Sequence, residues 1–264
     1  MASFKTILYR KEDRIAIATL NRPERMNSLS KQLVADLFAL CDEVERDPEV
    51  RVLIITGSPR PDGRPCFCTG ADLKEITERS KTENLDIEKI SAEVRPLWDR
   101  IERLKRATIA AIDGACSAGG LVMAVSCDFR VVAETAQIAD FHIKNMGVVG
   151  GDGPGVRLAR LLGPSRAKEV LFLTEFIDGQ EAYRLGLANH VFPSGKLLAG
   201  AIETARKIAT LRGAAVTLGK DSINASLDMP YERALAYTYK CNALLDTTEG
   251  ARAFTEKRAP KFED

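Results

Sequence analysis

The sequence predicts an α/β fold whose helices are concentrated in the last third of the chain. Apolar runs of strand length alternate with amphipathic helical stretches through the first two thirds, and two of these strands lead through a glycine turn directly into a helix. From Gly153 onward the pattern is mostly helical. No internal repeat or low-complexity linker divides the 264 residues, which are enough to bury a full core.

The N-terminal elements follow from local pattern. "FKTILY" and "RIAIATL" are β-rich runs joined by the polar "RKED", which predicts a hairpin. "SKQLVADLFALCDEVERD" repeats apolar residues at helical spacing after a serine cap and predicts a helix. "VRVLIITG" predicts a buried strand. After the Gly/Pro-rich loop "SPRPDGRP", the stretch "CFCTGADLKEI" predicts a short strand, a glycine turn and a helix start.

The middle of the chain repeats this order. A helix is predicted from about residue 85 to residue 105, and "ATIAAIDG" predicts another buried strand. The second glycine turn, "GACSAGG", opens into an apolar helix. "FRVVAE" and "AQIAD" predict short strands before the helical C-terminal part.

The composition limits which classes of binding partner and which cellular compartment are expected. With 38 basic and 37 acidic residues the net charge is +1, so no electrostatic signal for nucleic acid or a membrane surface is present. The N-terminal stretch predicts neither a signal nor a transit peptide, and we expect a cytoplasmic protein. The six cysteines are expected to be reduced. Cys66 and Cys68 lack a second pair at zinc spacing, so no metal site is expected.

The two strand–glycine–helix turns suggest a binding site for negative charge. The first N–H groups of each helix lack an intrahelical acceptor and lie at the positive end of the helix dipole. If the turns face each other, the N–H groups of Ala71 and Gly119 converge on one oxygen atom and form an oxyanion hole. The structural alternative is that Gly70 supplies a turn with positive φ and that Gly119 and Gly120 allow close helix packing.

The same stretches resemble the signatures of the crotonase, or enoyl-CoA hydratase/isomerase, superfamily. "FCTGADLKEI" is similar to F-x-x-G-A-D-[IL]-x-E, and "DGACSAGGLVMAVSCD" is similar to N-G-x-A-x-G-G-G-x-x-L-x-x-x-C-D. The resemblance continues through "NRPERMNSLS", "IDGQEAYRLGLANHVFP" and "GARAFTEKRAPKF" and covers nearly the whole chain.

The resemblance implies a crotonase-like spiral of ββα units over residues 1–195, which binds an acyl-coenzyme A thioester, and a helical oligomerisation region over residues 196–264. A homotrimer or a dimer of trimers is implied. The thioester carbonyl would lie between the N–H groups of Ala71 and Gly119, which would stabilise an enolate. No separate cofactor is implied, because coenzyme A is part of the substrate.

The resemblance also implies coenzyme-binding positions. They are Met26, Ala71, Asp72, Leu73, Phe254 and Lys257. Phe254 and Lys257 match positions that reach the coenzyme of a neighbouring subunit, with Lys257 near a phosphate. The alternatives are a solvated helix face for Lys257 and, for Asp72, an acid that stabilises the first turn of a helix.

The sequence departs from the family pattern at both hydratase glutamates. The first is replaced by Val122, three residues after Gly119, and a valine carries no proton. The second falls in "ADFHIKNMG", where His142 lies at or beside the position and no glutamate is in reach. The two-carboxylate hydration mechanism is therefore not expected in its usual form. The residues expected to line the acyl pocket are Trp98, Val122 and Phe141.

Asp152 and His142 are the remaining candidates for proton transfer. Asp152 lies in the glycine-rich "GVVGGDGPG", and family members that catalyse isomerisation, dehalogenation or hydrolysis often keep an aspartate at or near this loop. Its alternative role is to cap the helix that begins near Pro154. His142 is either a general acid or base, or a hydrogen-bonded core histidine at a strand end.

Two classes of function follow. The first is an acyl-CoA enzyme with enolate chemistry, in which Asp152, aided by His142, moves a proton during isomerisation, atypical hydration or C–C hydrolysis. The second is a catalytically inactive acyl-CoA-binding protein or oligomer partner. An Asp152→Asn variant separates them, because only the enzyme would lose turnover and keep binding.

Overall fold

A computed structural model describes residues 3–83 and 86–262. The strands among them are β1 (Ile7–Glu12), β2 (Ile15–Leu20), β3 (Val52–Gly57), β4 (Cys66–Cys68), β5 (Ala107–Ile112), β6 (Ala115–Ser117), β7 (Phe129–Ala133), β8 (Gln137–Ala139) and β9 (His190–Phe192). The α-helices are α1 (Lys31–Arg46), α2 (Leu73–Arg79), α3 (Ile87–Glu102), α4 (Gly119–Ser126), α5 (Pro154–Leu162), α6 (Pro164–Leu173), α7 (Gly179–Leu185), α8 (Leu197–Ala209), α9 (Gly213–Ser226), α10 (Tyr231–Ala243) and α11 (Thr248–Thr255). A π-helical turn spans His142–Met146.

Successive pairs of strands build two sheets. The first strand of each pair (β3, β5, β7) joins a six-stranded sheet of order β1-β2-β3-β5-β7-β9, and the second (β4, β6, β8) joins a three-stranded sheet of order β4-β6-β8. A helical segment follows each pair. All pairings within the sheets are parallel except the β1–β2 hairpin. This arrangement is the predicted spiral of ββα units.

The large sheet is buried on both faces, which explains why its strands are continuous apolar runs. Alternate residues of β2 point to opposite faces. Ile15 and Ile17 join a core with Ala201 of α8, whereas Ala16 and Ala18 join the larger core with α1. Helix α8 begins just after the predicted division at residues 195/196 and packs on the sheet. That division remains a prediction.

The observed element bounds refine the sequence predictions. The hairpin strands run through most of "RKED", and the turn lies at Asp13, which has φ 51°, and Arg14. The predicted serine cap of α1 is confirmed, because the Ser30 hydroxyl accepts from the Leu33 N–H at 3.1 Å. Helix α3 ends at Glu102 rather than near residue 105, and residue 85, its predicted start, lies outside the described residues. The short strand β6 was not predicted, because its three residues lie within the stretch that was interpreted as a glycine turn.

The described chain also bears on membranes and cysteines. No helix within residues 3–83 and 86–262 is long and apolar enough to cross a membrane. The six cysteines are buried free thiols. Burial raises the pKa of the Cys68 thiol to about 12, so it is unreactive at neutral pH.

Candidate active site

An apolar cavity of about 400 Å³ lies between the first helices and the two glycine turns. Its walls come from α1, α2 and α3, and its floor from Gly119, the π-helical turn and the loop at residues 150–152. Six of the residues singled out in the sequence line it. They are Ala71, Asp72, Leu73, Gly119, His142 and Asp152. The structure thus brings together residues that are up to 81 positions apart in the sequence.

The two glycine turns are in contact. They follow β4 and β6, which are parallel neighbours in the small sheet. Gly70 has φ 88°, and a Cβ placed on it would lie 2.8 Å from the Ala118 Cβ and 3.0 Å from the Gly119 nitrogen. Any side chain at Gly70 would therefore force the turns apart. Glycine is required at position 70 for two reasons: its φ is positive, and the backbone of the second turn lies too close to admit a Cβ.

The N–H groups of Ala71 and Gly119 are both available to a ligand. The Leu29 N–H donates to the Gly70 carbonyl and the Asp72 N–H donates to the Leu29 carbonyl, which leaves the Ala71 N–H between them without an acceptor. Gly119 is the first residue of α4, so its N–H has no intrahelical acceptor. In the part of the chain described, no other group accepts from either N–H.

Ala118 holds a strained conformation at the start of α4. Its φ of 50° and ψ of −122° lie in a region that favours glycine, yet the residue carries a Cβ. Such strain costs on the order of 1–3 kcal/mol and occurs mostly at functional sites. The position corresponds to the first glycine of the three in the family signature quoted above.

The Asp152 carboxylate lies beside Gly119 in the cavity that Ala71 also lines. A Cβ placed on Gly119 would lie 3.8 Å from Asp152 Oδ2. The same oxygen accepts a hydrogen bond from Nε1 of the fully buried Trp98 at 3.3 Å. The alternative that Asp152 caps α5 is wrong, because Gly153 occupies the N-cap and no side chain caps that helix. The carboxylate is consequently directed by Trp98 instead of by the helix end.

His142 lies between two aspartates. Its Nδ1 is 2.9 Å from Asp140 Oδ2, and its backbone N–H donates to Asp140 Oδ1 at 2.9 Å. Its Nε2 is 3.7 Å from Asp152 Oδ1. Asp140 is fully buried, whereas the His142 side chain retains 16% of its exposure. Because a carboxylate only accepts hydrogen bonds, Nδ1 carries a proton and Nε2 is the atom on the side of Asp152.

The charge of the imidazole depends on these aspartates. Burial lowers the pKa of His142, but the hydrogen bond to Asp140 and the negative charges of Asp140 and Asp152 raise it more, so the net pKa lies above its ordinary value. The two aspartates therefore stabilise the protonated form of His142, in which an Nε2–H lies on the side of the Asp152 carboxylate. An acid and a base stand next to each other at the cavity floor.

The other acids of the cavity are engaged elsewhere. The four acidic residues that line it are Asp72, Glu75, Glu93 and Asp152. Asp72 pairs with Arg22 at 2.8 Å and caps α2, and Glu93 pairs with Arg79 at 2.7 Å. Glu75 accepts from the first backbone N–H of α1. The aspartate of the glycine-rich loop is the remaining carboxylate; in the described residues its salt-bridge contact is with His142, and Arg157 donates to its backbone carbonyl.

Several predicted site residues lie away from the cavity. Met26 is 40% exposed beside the first turn, where its carbonyl accepts from the Thr69 N–H. Phe254 is 87% exposed on α11, and neither it nor Lys257 lines the cavity. The prediction that Trp98, Val122 and Phe141 line the pocket is wrong. Trp98 and Val122 are fully buried in the core, and Phe141 packs edge-on against a phenylalanine at residue 176.

Comparison with known proteins decides the family. A model of the family "Enoyl-CoA hydratase/isomerase" matches residues 10–264. The chain belongs to this family. It is 32% identical to a probable enoyl-CoA hydratase of Mycobacterium tuberculosis and 33% identical to a crotonyl-CoA hydratase of Syntrophomonas wolfei, over 98% of each chain.

Solved structures of the enoyl-CoA hydratase/isomerase family have the same fold. The enoyl-CoA hydratase of Bacillus anthracis superposes with a TM-score of 0.88 at 32% identity, covering 98% of this chain and 99% of that one. A putative enoyl-CoA hydratase of Streptomyces coelicolor gives 0.89 at 30% identity, covering 100% and 96%. The family resemblance predicted from the sequence and its crotonase-like fold are thereby confirmed.

Asp140 and the hydrogen bond between Trp98 and Asp152 are the features of the site that sequence reasoning missed. Trp98 is 54 positions from Asp152, and nothing in the sequence indicates their contact. Asp140 could have been found, because an aspartate two residues before a histidine at the end of a strand can accept from both the backbone N–H and the ring of that histidine.

Proposed function

We propose that the protein hydrates a 2-enoyl-CoA thioester, with Asp152 and His142 acting in place of two glutamates. The observation that carries this proposal is the juxtaposition of an acid and a base, His142 and Asp152, beside the unpaired N–H groups of Ala71 and Gly119. Hydration adds OH⁻ to one carbon and H⁺ to its neighbour, so it needs both a proton acceptor and a proton donor.

The thioester carbonyl is placed by the two backbone N–H groups. The oxygen accepts from Ala71 and Gly119, and negative charge develops on it as the enolate forms. Preorganised donors in an apolar cavity stabilise this charge by about 3 kcal/mol each, judged from removal of single oxyanion-hole donors in other enzymes. The acyl chain lies among apolar side chains of α1 and α3, of which Val34, Phe38 and Val94 line the cavity.

Each proton has a named donor and acceptor in this mechanism. The Asp152 carboxylate takes a proton from a water molecule as its oxygen adds to the β-carbon, and the electron pair of the double bond moves toward the carbonyl oxygen. The His142 Nε2–H then protonates the α-carbon. A proton passes from Asp152 Oδ1 to His142 Nε2, 3.7 Å away in the resting site, and restores both groups.

The relatives support hydration over the other reactions of the family. The sequences most similar in this comparison include a crotonyl-CoA hydratase and a short-chain-enoyl-CoA hydratase of Clostridium acetobutylicum, at 33% and 32% identity. The replacement of both glutamates, inferred from the signatures, requires another acid–base pair, and the cavity contains one. An inactive acyl-CoA-binding protein has no use for the pair.

Further features of the proposal concern assembly and coenzyme binding. We propose a homotrimer or dimer of trimers in which Phe254 and Lys257 reach the coenzyme of a neighbouring subunit. Both residues lie outside this chain's own cavity, and Phe254 is largely exposed, as such a role requires. Met26, Asp72 and Leu73 are proposed to lie along the coenzyme in the same subunit. A cytoplasmic location is part of the same proposal.

The test is a mass-spectrometric screen in deuterated water. A panel of straight-chain 2-enoyl, 3-enoyl, dienoyl and cyclic acyl-CoAs is incubated with the wild type, with Asp152→Asn and with Asp228→Asn, an exposed control aspartate paired with Arg160. We expect a gain of one D₂O on a 2-enoyl-CoA, reduced by about 10²–10⁴-fold in Asp152→Asn and unchanged in Asp228→Asn.

The same screen distinguishes the competing functions. Deuterium incorporation without a gain of water, dependent on Asp152, would replace hydration by isomerisation. Binding of acyl-CoA without any change of mass in the whole panel would favour the inactive binding protein and overturn the proposal.

A further inference from the structure

Asp140 is a buried charge that the mechanism above does not use. It is fully buried, it does not line the cavity, and its carboxylate accepts twice from the same residue, His142. A buried carboxylate is costly unless it is paired and hydrogen-bonded. The hydrogen-bonding partner of the Asp140 carboxylate is His142 at the cavity floor. The negative charge of Asp140 and the positive charge of protonated His142 therefore stabilise each other.

We infer that Asp140 is a positioning residue, which fixes the ring orientation and tautomer of His142 so that Nε2 faces Asp152 and the substrate. This inference rests on the proposed function of His142 as a proton donor. Nδ1 can only donate to Asp140, and the backbone hydrogen bond ties the same carboxylate to the residue's own main chain. The carboxylate is therefore fixed relative to the backbone of His142, it holds the ring at Nδ1, and only Nε2 is left to exchange protons.

The loop that contains Gly150 also passes close to the imidazole ring of His142. A Cβ placed on Gly150 would lie 3.1 Å from His142 Nδ1 and 2.7 Å from the Pro154 ring. Gly150 has φ 77°, so a glycine allows the loop to pass close to the imidazole. A flip of the ring would put Cδ2 in place of Nδ1 beside Asp140 and Cε1 in place of Nε2 beside Asp152, so both polar contacts of the ring would be lost.

Within the described ranges, the charged groups found within 4 Å of the ring nitrogens are Asp140 and Asp152, and Arg157 of α5 donates to the backbone carbonyl of Asp152. Asp140 comes from the end of β8 and Asp152 from the loop before α5. The remaining charged side chains of the π-helical turn and of α6, which packs against it, are exposed to solvent. They are Lys144, Arg166, Lys168 and Glu169.

Asp140→Asn changes the acceptor pattern while keeping the shape. An asparagine offers one oxygen and one NH₂ group. If its oxygen accepts from the His142 backbone N–H, its NH₂ group lies against Nδ1. Nδ1 then becomes the acceptor and Nε2 carries the proton of the neutral ring. We expect kcat to fall by about 10²-fold or more with KM little changed, and the pH–rate limb that reports loss of the His142 proton to move to lower pH.

The decisive readout is the histidine itself. The chain has two histidines, so ¹⁵N-labelled His190→Gln protein shows the ring nitrogens of His142 alone. At a pH high enough to deprotonate the imidazolium, we expect the neutral ring of this background to keep its proton on Nδ1; in Asp140→Asn we expect the neutral ring to carry it on Nε2 and the pKa to be lower. Asp36→Asn is the matched control, since Asp36 is a buried aspartate that accepts from the N–H groups of Lys5 and Thr6 and contacts no histidine.

The outcomes separate this inference from the proposed function. An unchanged tautomer and titration in folded Asp140→Asn, or a neutral ring protonated on Nε2 in the Asp140-containing protein, would overturn the inference. The second measurement holds even where Asp140→Asn fails to fold. A tautomer that changes as expected in a protein without turnover on any acyl-CoA would support the role of Asp140 and overturn the proposed hydration.

Discussion

Gly120 controls the spacing of the two turns that supply the candidate oxyanion hole. It is the second residue of α4, next to Gly119, and a Cβ placed on it would lie 2.1 Å from the Cys68 carbonyl oxygen and 2.8 Å from the carbonyl carbon. Both atoms are backbone atoms of β4, so no side-chain rotation can relieve the overlap. Gly120→Ala must therefore move α4 and β4 apart.

The size of the effect follows from that overlap. Bringing the added Cβ to an ordinary van der Waals distance needs a displacement on the order of 1 Å, and a misplacement of this size in an active site can cost about 10²-fold in rate. Because Gly119 moves with α4 and Ala71 follows β4, the two N–H groups separate. Overpacking of this kind also lowers the free energy of unfolding by about 1–3 kcal/mol, which lowers Tm by roughly 2–4 °C per kcal/mol.

The assay compares Gly120→Ala with Gly219→Ala, which adds a Cβ in α9 where no atom lies within 4 Å. We expect kcat of the hydration assay to fall about 10²-fold in Gly120→Ala, with a lower Tm. The control should keep its activity and gain up to about 1 kcal/mol of stability. Wild-type kcat and Tm in Gly120→Ala would refute the argument that backbone contact at this position sets the geometry of the hole.

Three further predictions follow from the site and the assembly. Because the pKa of His142 is raised in the folded protein, its protonation adds to the free energy of unfolding. This contribution is full below about pH 6.5 and is lost as the pH rises through the pKa of the folded state. In urea unfolding, the wild type should therefore be more stable than His142→Gln at low pH, and the difference should shrink as the pH increases. Ala118→Gly should raise the free energy of unfolding by about 1 kcal/mol, because glycine adopts a φ of 50° without strain. A lower free energy of unfolding for this variant in urea titration would contradict the strain. Light scattering should give a trimer or hexamer, and Phe254→Ala should raise KM for the acyl-CoA at unchanged kcat; a monomer would exclude the shared coenzyme site.

The fold was largely predictable because its signals are local. The serine before α1, the apolar runs of the buried parallel strands and the two glycine turns each specify an element within a few residues. The free N–H of Gly119 follows from those elements, since a helix start leaves such groups free, whereas Ala71 precedes the N-cap Asp72 and its N–H is left free by the bridge with Leu29. The prediction needed only the additional step that two parallel strands end side by side.

The arrangement of proton-carrying groups was only partly predictable because it depends on contacts between distant segments. Asp152 and His142 were recognised as candidates, but the sequence left open whether Asp152 caps a helix. That question is decided by Gly153 and by the indole of Trp98 on α3. Val122 shows the opposite error, because a residue three positions after Gly119 was expected in the pocket and lies in the core.

The departures from the family signatures form a consistent set when charge is counted. The signatures place His142 at or beside the position of the second hydratase glutamate, so the proposed site has a potential cation there instead of a potential anion, and burial alone would lower its pKa. Asp140 supplies a buried negative charge that favours the imidazolium, and Asp152 supplies the base on its other side. With His142 as the acid, Val122 need carry no proton and can pack in the core. In the proposed hydration Asp152 gains a proton from water, His142 gives a proton to the α-carbon, and transfer from Asp152 to His142 restores one cation between two anions.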